Sequence, residues 1–130
     1  MISNALAGKP LPIYGDGLNV RDWLYAVDHC SAILRVLQKG MIGETYNIGG
    51  DCEKTNIEIV DSICSLLDNL APIPDGTSYS AQKSFVKDRL GHDHRYGIDS
   101  SKICLELGWK AQETFSMAIN KTVNSTSFVL

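Results

Sequence analysis

The chain has 130 residues, of which 44% are hydrophobic and 21% charged, and its formal net charge is −3. This composition predicts a single domain over residues 1–130 and argues against a nucleic-acid partner, because a general nucleic-acid binder needs a basic face. No apolar run approaches the ~20 residues that span a bilayer and the N-terminus does not resemble a secretory leader, so we expect no membrane partner and a cytoplasmic location.

The first elements predicted are a helix end, an extended segment and a turn. Residues 2–7 have helical character and stop at Gly8. Two prolines favour an extended conformation over residues 9–13, and the run Gly15-Asp16-Gly17 is typical of a turn. Residues 21–25 then predict a short strand.

The middle of the chain predicts a helix over residues 27–39 and a strand over residues 44–48. The strand is β-prone and bounded by glycines. Gly40 ends the helix, whose apolar positions recur at helical spacing: Val27, Cys30, Ile33, Leu34 and Leu37.

A capping box, Thr55-x-x-Glu58, predicts the start of the next helix. Its apolar face comprises Ile57, Val60, Ile63, Cys64, Leu67 and Leu70, and prolines 72 and 74 end it. A strand over residues 84–87 and helices over residues 99–107 and 113–123 follow. Short strands that alternate with about four helices predict an α/β fold, or α+β for an isolated lobe.

The four cysteines, Cys30, Cys52, Cys64 and Cys104, show no C-x-x-C spacing. We therefore predict reduced and mostly buried thiols, as in cytosolic proteins. A disulfide pair or a zinc site is the alternative.

Arg21 is the first candidate for chemistry, because a guanidinium presents a planar fork of donors that suits phosphate oxygens. The residues alone favour a surface ion pair with the neighbouring Asp22, which contributes little to stability. Tyr14 carries a ring that can stack on a base, but a half-buried strand tyrosine is the plainer interpretation.

Two further candidates for ligand binding also have a purely structural explanation. Asn56 lies at a helix start, where asparagine usually caps. The run Asp88-Arg89-Leu90-Gly91-His92-Asp93 has the composition of a solvated charged loop.

Taken together, these segments resemble the C-terminal, substrate-binding lobe of the dTDP-glucose 4,6-dehydratases. These are nucleotide-sugar-modifying enzymes of the extended short-chain dehydrogenase/reductase superfamily, which has a Rossmann-type fold. The run from Pro10 to Gly17, the Arg21-Asp22-Trp23 motif and the segment from Asp88 to Asp93 carry the resemblance. It extends from Asn4 to about Val123. Leu90 replaces a proline usual in the family, and residues 124–130 depart from the family's longer final helix.

The resemblance implies a dTDP-sugar site in which different residues contact different parts of the ligand. Arg21, Arg89 and His92 would contact the diphosphate, and the two arginines, approaching from different segments, would clamp it. Asn56 would contact the nucleotide sugar. Pro12 and Tyr14 would line the nucleobase end, with Tyr14 on thymine.

The resemblance further implies that a full-length enzyme uses NAD to convert dTDP-glucose to dTDP-4-keto-6-deoxyglucose, and that such enzymes are homodimers. We identify no catalytic residue here. Tyr79-x-x-x-Lys83 has the spacing of the superfamily's catalytic pair, but that pair belongs on a helix and here falls in a loop. Gly15-x-Gly17 lacks the third glycine of a dinucleotide fingerprint. We therefore expect the Rossmann domain to be absent from this chain, which alone would bind no NAD.

Two alternatives stay open. The chain is a fragment of a UDP-sugar epimerase or decarboxylase, or a non-catalytic, truncated protein that binds nucleotide sugar. Whichever of these interpretations holds, the preferred one included, we expect an exposed apolar patch where the missing Rossmann half would pack, and self-association as its result.

Overall fold

The computed structural model describes residues 1–127, which form an α/β structure of four short strands and five α-helices. The predicted α/β class is confirmed, and the five helices correspond to the five helical segments expected from the sequence. The elements are α1 Ile2–Leu6, β1 Leu11–Tyr14, β2 Val20–Asp22, α2 Ala26–Lys39, β3 Glu53–Thr55, α3 Asn56–Leu70, a 3-10 helix Tyr79–Gln82, β4 Lys83–Val86, α4 Ser101–Leu107 and α5 Phe115–Ser127.

The chain divides into two compact units, each built from discontinuous segments. Unit 1 comprises residues 1–19, residues 55–94 and the chain from Ile119 on. Unit 2 comprises residues 20–54 and 95–118. The expectation of one domain over residues 1–130 stays a prediction.

Unit 1 is built around a parallel pair of strands, β1 and β4, with α3 packed against β1. A parallel pair needs a long crossover, and the chain from the end of β1 to the start of β4 supplies it and includes α3. Leu11 and Ile13 alternate inward along β1 and are fully buried. Each contributes roughly 1.5–3 kcal/mol to folding by leaving water.

The third helix begins where the capping box predicts. The Thr55 hydroxyl oxygen accepts a hydrogen bond from the Glu58 N–H at 3.3 Å, and the Glu58 carboxylate accepts the Thr55 N–H at 2.7 Å. Its buried face comprises Ile59, Val60, Ile63, Cys64 and Leu67. The buried face differs slightly from the predicted one, since Leu70 is exposed and Ile59 is buried.

Unit 2 has its own core, formed where α2 meets α4 and the segment that follows α4. The buried residues are Ala32, Ile103, Leu107 and Trp109. The Trp109 indole donates a hydrogen bond to the Ser31 hydroxyl at 2.8 Å, which fixes this segment against α2. Asp28 is also buried, and its carboxylate accepts the N–H groups of Gln112 and Glu113 at 3.1 and 2.9 Å.

The apolar positions that recur at helical spacing along α2 are exposed and do not form the core of unit 2. Asp28 and Ala32 are the buried residues of this helix, with Val36 packed beside them. Small Ala32 allows close approach of α4, so the narrower stripe of the helix turns inward. The wider apolar stripe is left in solvent at Val27, Cys30, Ile33, Leu34 and Leu37.

The strand predicted over residues 44–48 does not form. A β-strand requires a hydrogen-bonded neighbour, and within residues 1–127 no strand pairs with this segment. Tyr46 and Ile48 instead pack against the unit 2 core. The Tyr46 hydroxyl donates to the Glu106 carboxylate at 3.0 Å.

All four cysteines lie within the described residues, and all are free thiols. The expectation that most are buried is wrong, because only Cys64 is buried while Cys30 and Cys104 are exposed. Burial raises the pKa of the Cys64 thiol. Among residues 1–127 no helix combines the length and apolar character that crossing a bilayer requires.

The exposed stripe of α2 predicts concentration-dependent self-association. Leu34 and Leu37 are 55% and 79% exposed, and burying them between two copies would stabilise a dimer. We expect the paired change Leu34→Lys with Leu37→Glu, which keeps the net charge, to raise the dimer dissociation constant by at least about tenfold, since about 1.5 kcal/mol of apolar burial is lost. Sedimentation equilibrium measures this constant.

The matched control is Leu70→Lys with Met117→Glu, which alters two hydrophobic residues of similar exposure outside α2. It should leave the association unchanged. A wild-type chain that sediments as a monomer across concentrations would contradict the prediction.

Candidate functional site

The chain segments that follow β1 and β4 lie side by side, because these two strands run parallel in matched register. Tyr14 pairs with Val86 at the end of the ladder, and the Gly15 N–H donates to the Val86 carbonyl at 3.0 Å. A Cβ atom placed on Gly15 would lie 3.1 Å from the Asp88 carboxylate. In α/β proteins, ligands bind beyond the carboxyl ends of parallel strands. This end of unit 1 is therefore the candidate site.

The turn after β1 is held against the start of α3. The N–H groups of Asn56 and Ile57 donate to the carbonyls of Asn19 and Gly17, each at 3.0 Å. Gly17 has φ +76°, and a Cβ there would lie 2.8 Å from the Ile13 side chain. Only glycine fits this approach, because both the conformation and the space exclude a side chain.

A buried asparagine connects the turn to the loop after β4. Asn19 is 5% exposed, and its side-chain amide donates to the Asp93 carbonyl at 3.3 Å. No signal in the sequence marks Asn19, since its partner lies far along the chain. The turn after β1, the loop after β4 and the start of α3 are thus connected by hydrogen bonds.

Asn56 is the first residue of α3 but does not cap it, so the capping interpretation is wrong. Thr55 is the cap. The Asn56 side chain is half-buried, and none of the hydrogen bonds described within residues 1–127 involves it. The backbone N–H groups of Asn56, Ile57 and Glu58 are bonded within the protein.

The other predicted site residues of unit 1 differ in how far their side chains are exposed to solvent. Tyr14 is 49% exposed at the end of β1, and Pro12 is half-buried opposite Ser84. Arg89 is exposed beside Asp88. The side chain of His92 is only 8% exposed.

The side chains of His92 and Asp88 are joined by a hydrogen bond within this loop. The His92 Nδ1 lies 2.6 Å from Asp88 Oδ1, which also accepts the Arg89 N–H at 2.8 Å. The hydrogen bond from His92 holds the pKa of the Asp88 carboxyl below its usual range. This pair fixes the loop that carries Arg89, although Leu90 replaces the family's proline and is almost fully exposed.

Arg21 lies in unit 2, on β2, where it is half-buried. Its Nη1 donates to the Val20 carbonyl at 2.6 Å, and its guanidinium lies over the Tyr96 ring, 4.5 Å from the centroid. The adjacent Asp22 accepts the N–H groups of Gly50 and Cys52, both at 2.8 Å. Asp22 therefore shapes the turn after Gly49.

The two motifs set aside in the sequence have structural roles. Tyr79 is 5% exposed in a 3-10 helix, rather than the expected loop, and its hydroxyl donates to the Ala71 carbonyl at 2.7 Å. Lys83 is paired with Asp61. The turn from Gly15 to Gly17 leads into β2 rather than a helix, so it does not form a dinucleotide cradle. Residues 1–127 hold no cluster of potential metal ligands.

Comparison with known proteins shows the family to which this chain belongs. Residues 1–122 match the sequence profile of the family described as GDP-mannose 4,6 dehydratase. The chain belongs to that family. A dTDP-glucose 4,6-dehydratase of Haemophilus influenzae is 58% identical over 125 residues, which are 95% of this chain and 37% of the relative.

Solved structures of two related enzymes agree with the family. The dTDP-glucose 4,6-dehydratase of Bacillus anthracis, in complex with NAD, matches 98% of this chain with a TM-score of 0.83 at 47% identity, over 37% of its own chain. The Streptomyces venezuelae enzyme, with NAD and dTDP bound, matches equally well at 41% identity. The chain spans about a third of the length of the curated relatives it matches.

The Asp88–His92 pair of this family member predicts an acid-sensitive loop. The folded-state pKa of Asp88 is lowered, so its stabilising contribution is present above the unfolded value of ~3.9 and is lost as pH falls through the lower folded value. We expect the Asp88 carboxyl carbon to titrate below ~3.9 in NMR. In His92→Gln the midpoint should rise.

The matched control is Asp75, whose pKa is lowered by the neighbouring Thr77 and not by a histidine. Its titration should be the same in both proteins. A wild-type Asp88 midpoint at or above ~3.9 would refute the pairing.

Proposed function

We propose that this chain is the substrate-binding portion of a dTDP-glucose 4,6-dehydratase, which converts dTDP-glucose to dTDP-4-keto-6-deoxyglucose. The observation that carries the proposal is the convergence of the turn after β1, the start of α3 and the loop after β4 at one end of unit 1. Its exposed or unpartnered side chains suit a nucleoside diphosphate.

Each predicted residue receives a role that its side chain can perform. Tyr14 offers a half-exposed ring for the thymine base, with Pro12 behind it on β1. Asn56 offers an amide that donates and accepts, which suits a sugar hydroxyl or a phosphate oxygen. Arg89 and Arg21 are assigned to the diphosphate, because guanidinium forks bind phosphate oxygens in pairs.

His92 acts mainly through Asp88 in this proposal. Its Nδ1 is engaged by that carboxylate, and the proposal assigns His92 to the diphosphate together with Arg89. The resulting loop geometry carries Arg89 toward the ligand.

In this proposal, the remaining two-thirds of a full-length enzyme hold NAD and carry out its hydride chemistry. When bound, NAD accepts and returns a hydride, which the side chains of a protein do not do. No residue of the described chain is assigned a catalytic step, and the homodimer of the full-length enzymes is likewise assigned outside this chain. A cytoplasmic location fits the four free thiols.

Thermal unfolding of the 130-residue chain tests the proposal. Because a ligand that binds only the native state stabilises it by mass action, dTDP should raise the Tm while UDP at the same concentration should not. An equal or larger effect of UDP would favour a UDP-sugar epimerase or decarboxylase instead. No effect of either ligand would overturn the proposal for this chain.

Arg89 gives a sharper prediction. Losing a charge-assisted hydrogen bond costs about 1.5–3 kcal/mol, so Arg89→Ala should weaken dTDP binding by about 10- to 100-fold in calorimetric titration. Lys87→Ala removes the same charge from an exposed residue of the same loop and is the matched control. Equal losses in both variants would mean that only the charge of the loop matters, against a specific role of Arg89.

A further inference from the structure

We propose that Asn19 positions the loop after β4 for the diphosphate, an inference that rests on the proposed function. Asn19 is the last residue of the turn after β1 in unit 1, and it is 5% exposed. It holds the loop that carries Arg89 and His92 at a fixed place relative to Asn56. Asn19 is a positioning residue, because it acts through these side chains and is not itself assigned to the ligand.

Hydrogen bonds of the turn fix the backbone of Asn19. The Leu18 N–H donates to the Asp16 carboxylate at 2.9 Å, which closes the turn from within. The Asn19 carbonyl accepts the Asn56 N–H at 3.0 Å. The backbone of Asn19 is therefore held against the first residue of α3, whatever its side chain does.

The side chain of Asn19 connects this fixed backbone to the loop. Its Nδ2 donates to the Asp93 carbonyl at 3.3 Å, although the two residues are 74 positions apart in the sequence. Asp93 directly follows His92, whose ring is hydrogen-bonded to Asp88. Asn19 thus bonds the start of α3 through its carbonyl and the loop through its amide.

The outer part of the loop projects into solvent, so its order depends on connections at its ends. Arg89 and Gly91 are exposed, and Leu90 is 97% exposed. The hydrogen bond between Asp88 and His92 joins two residues of the loop itself and does not hold the loop against α3. A loop that is ordered before binding loses less conformational entropy when the ligand binds. The hydrogen bond from Asn19 therefore increases the affinity of the loop for the diphosphate.

Calorimetric titration of the full chain with dTDP tests the inference. Asn19→Leu places an apolar side chain of similar size at this position and removes the amide donor. We expect it to weaken dTDP binding by about two- to tenfold, the factor that one hydrogen bond between uncharged groups supplies. Asn19→Gln retains an amide for the Asp93 carbonyl and should restore most of the affinity.

The matched control is Gln82→Met, which removes an amide donor of the same kind elsewhere in unit 1. The Gln82 Nε2 donates to the Ala5 carbonyl at 3.2 Å and likewise connects segments that are distant in the sequence. Both Asn19→Leu and Gln82→Met should lower the Tm measured without ligand, but only Asn19→Leu should weaken dTDP binding. Equal losses of affinity would mean that Asn19 acts only through general stability, and would overturn its positioning role.

A double variant tests whether Asn19 acts through the loop. In an Arg89→Ala background, Asn19→Leu should weaken dTDP binding less than it does in the wild type, because the loop then has fewer contacts with the diphosphate to lose. An undiminished loss would overturn the inference, and so would an unchanged affinity in Asn19→Leu alone. The proposed function fails by a different result, a wild-type chain that does not bind dTDP.

A measurement without ligand gives an independent check. Asn19→Leu should increase the fast backbone motion of residues 89–93 in nitrogen-15 relaxation, because the loop loses its connection to the turn. Asn19→Gln and Gln82→Met should leave this motion as it is in the wild type. Relaxation of residues 89–93 that is identical in the wild type and Asn19→Leu would contradict the positioning role, whether or not dTDP binds.

Discussion

The parallel pairing of β1 with β4 is the constraint on which the candidate site depends. It buries Leu11 and Ile13 against α3 and brings two segments distant in sequence to a common end. The same pairing places Gly15 against Asp88, and the hydrogen bonds of Asn19 then connect both segments with the start of α3. For this reason Tyr14, Asn56 and Arg89, which are far apart in the sequence, belong to segments that strand pairing and hydrogen bonds connect.

Unit 2 differs from unit 1 because its helix α2 has two stripes of side chains, of which only one is buried. The stripe with Ala32 packs on α4, and the stripe with Leu34 and Leu37 remains in solvent. The segment over residues 44–48 likewise has the composition of a strand without a neighbour to pair with in the described chain.

Local signals in the sequence predicted local structure well. The capping box fixed the start of α3, and Gly15 to Gly17 gave the expected turn. Periodicity gave the extent of α2 but not its buried stripe, because spacing alone does not reveal which stripe meets a neighbour. Family resemblance supplied the six site residues, whose roles stay predictions. Asn19 was missed as a candidate residue because its importance arises from a hydrogen bond between distant segments.

Chemical-shift mapping of the isotope-labelled chain during titration with dTDP tests the central claim most directly. The account predicts that the amide signals that move in unit 1 belong to the turn after Tyr14, the start of α3 at Asn56 and the loop from Asp88 to Asp93, while the exposed stripe of α2 stays unchanged. Shifts confined to α2, or no shifts at ligand concentrations that saturate the related full-length enzymes, would contradict the assignment of the site to the carboxyl ends of β1 and β4.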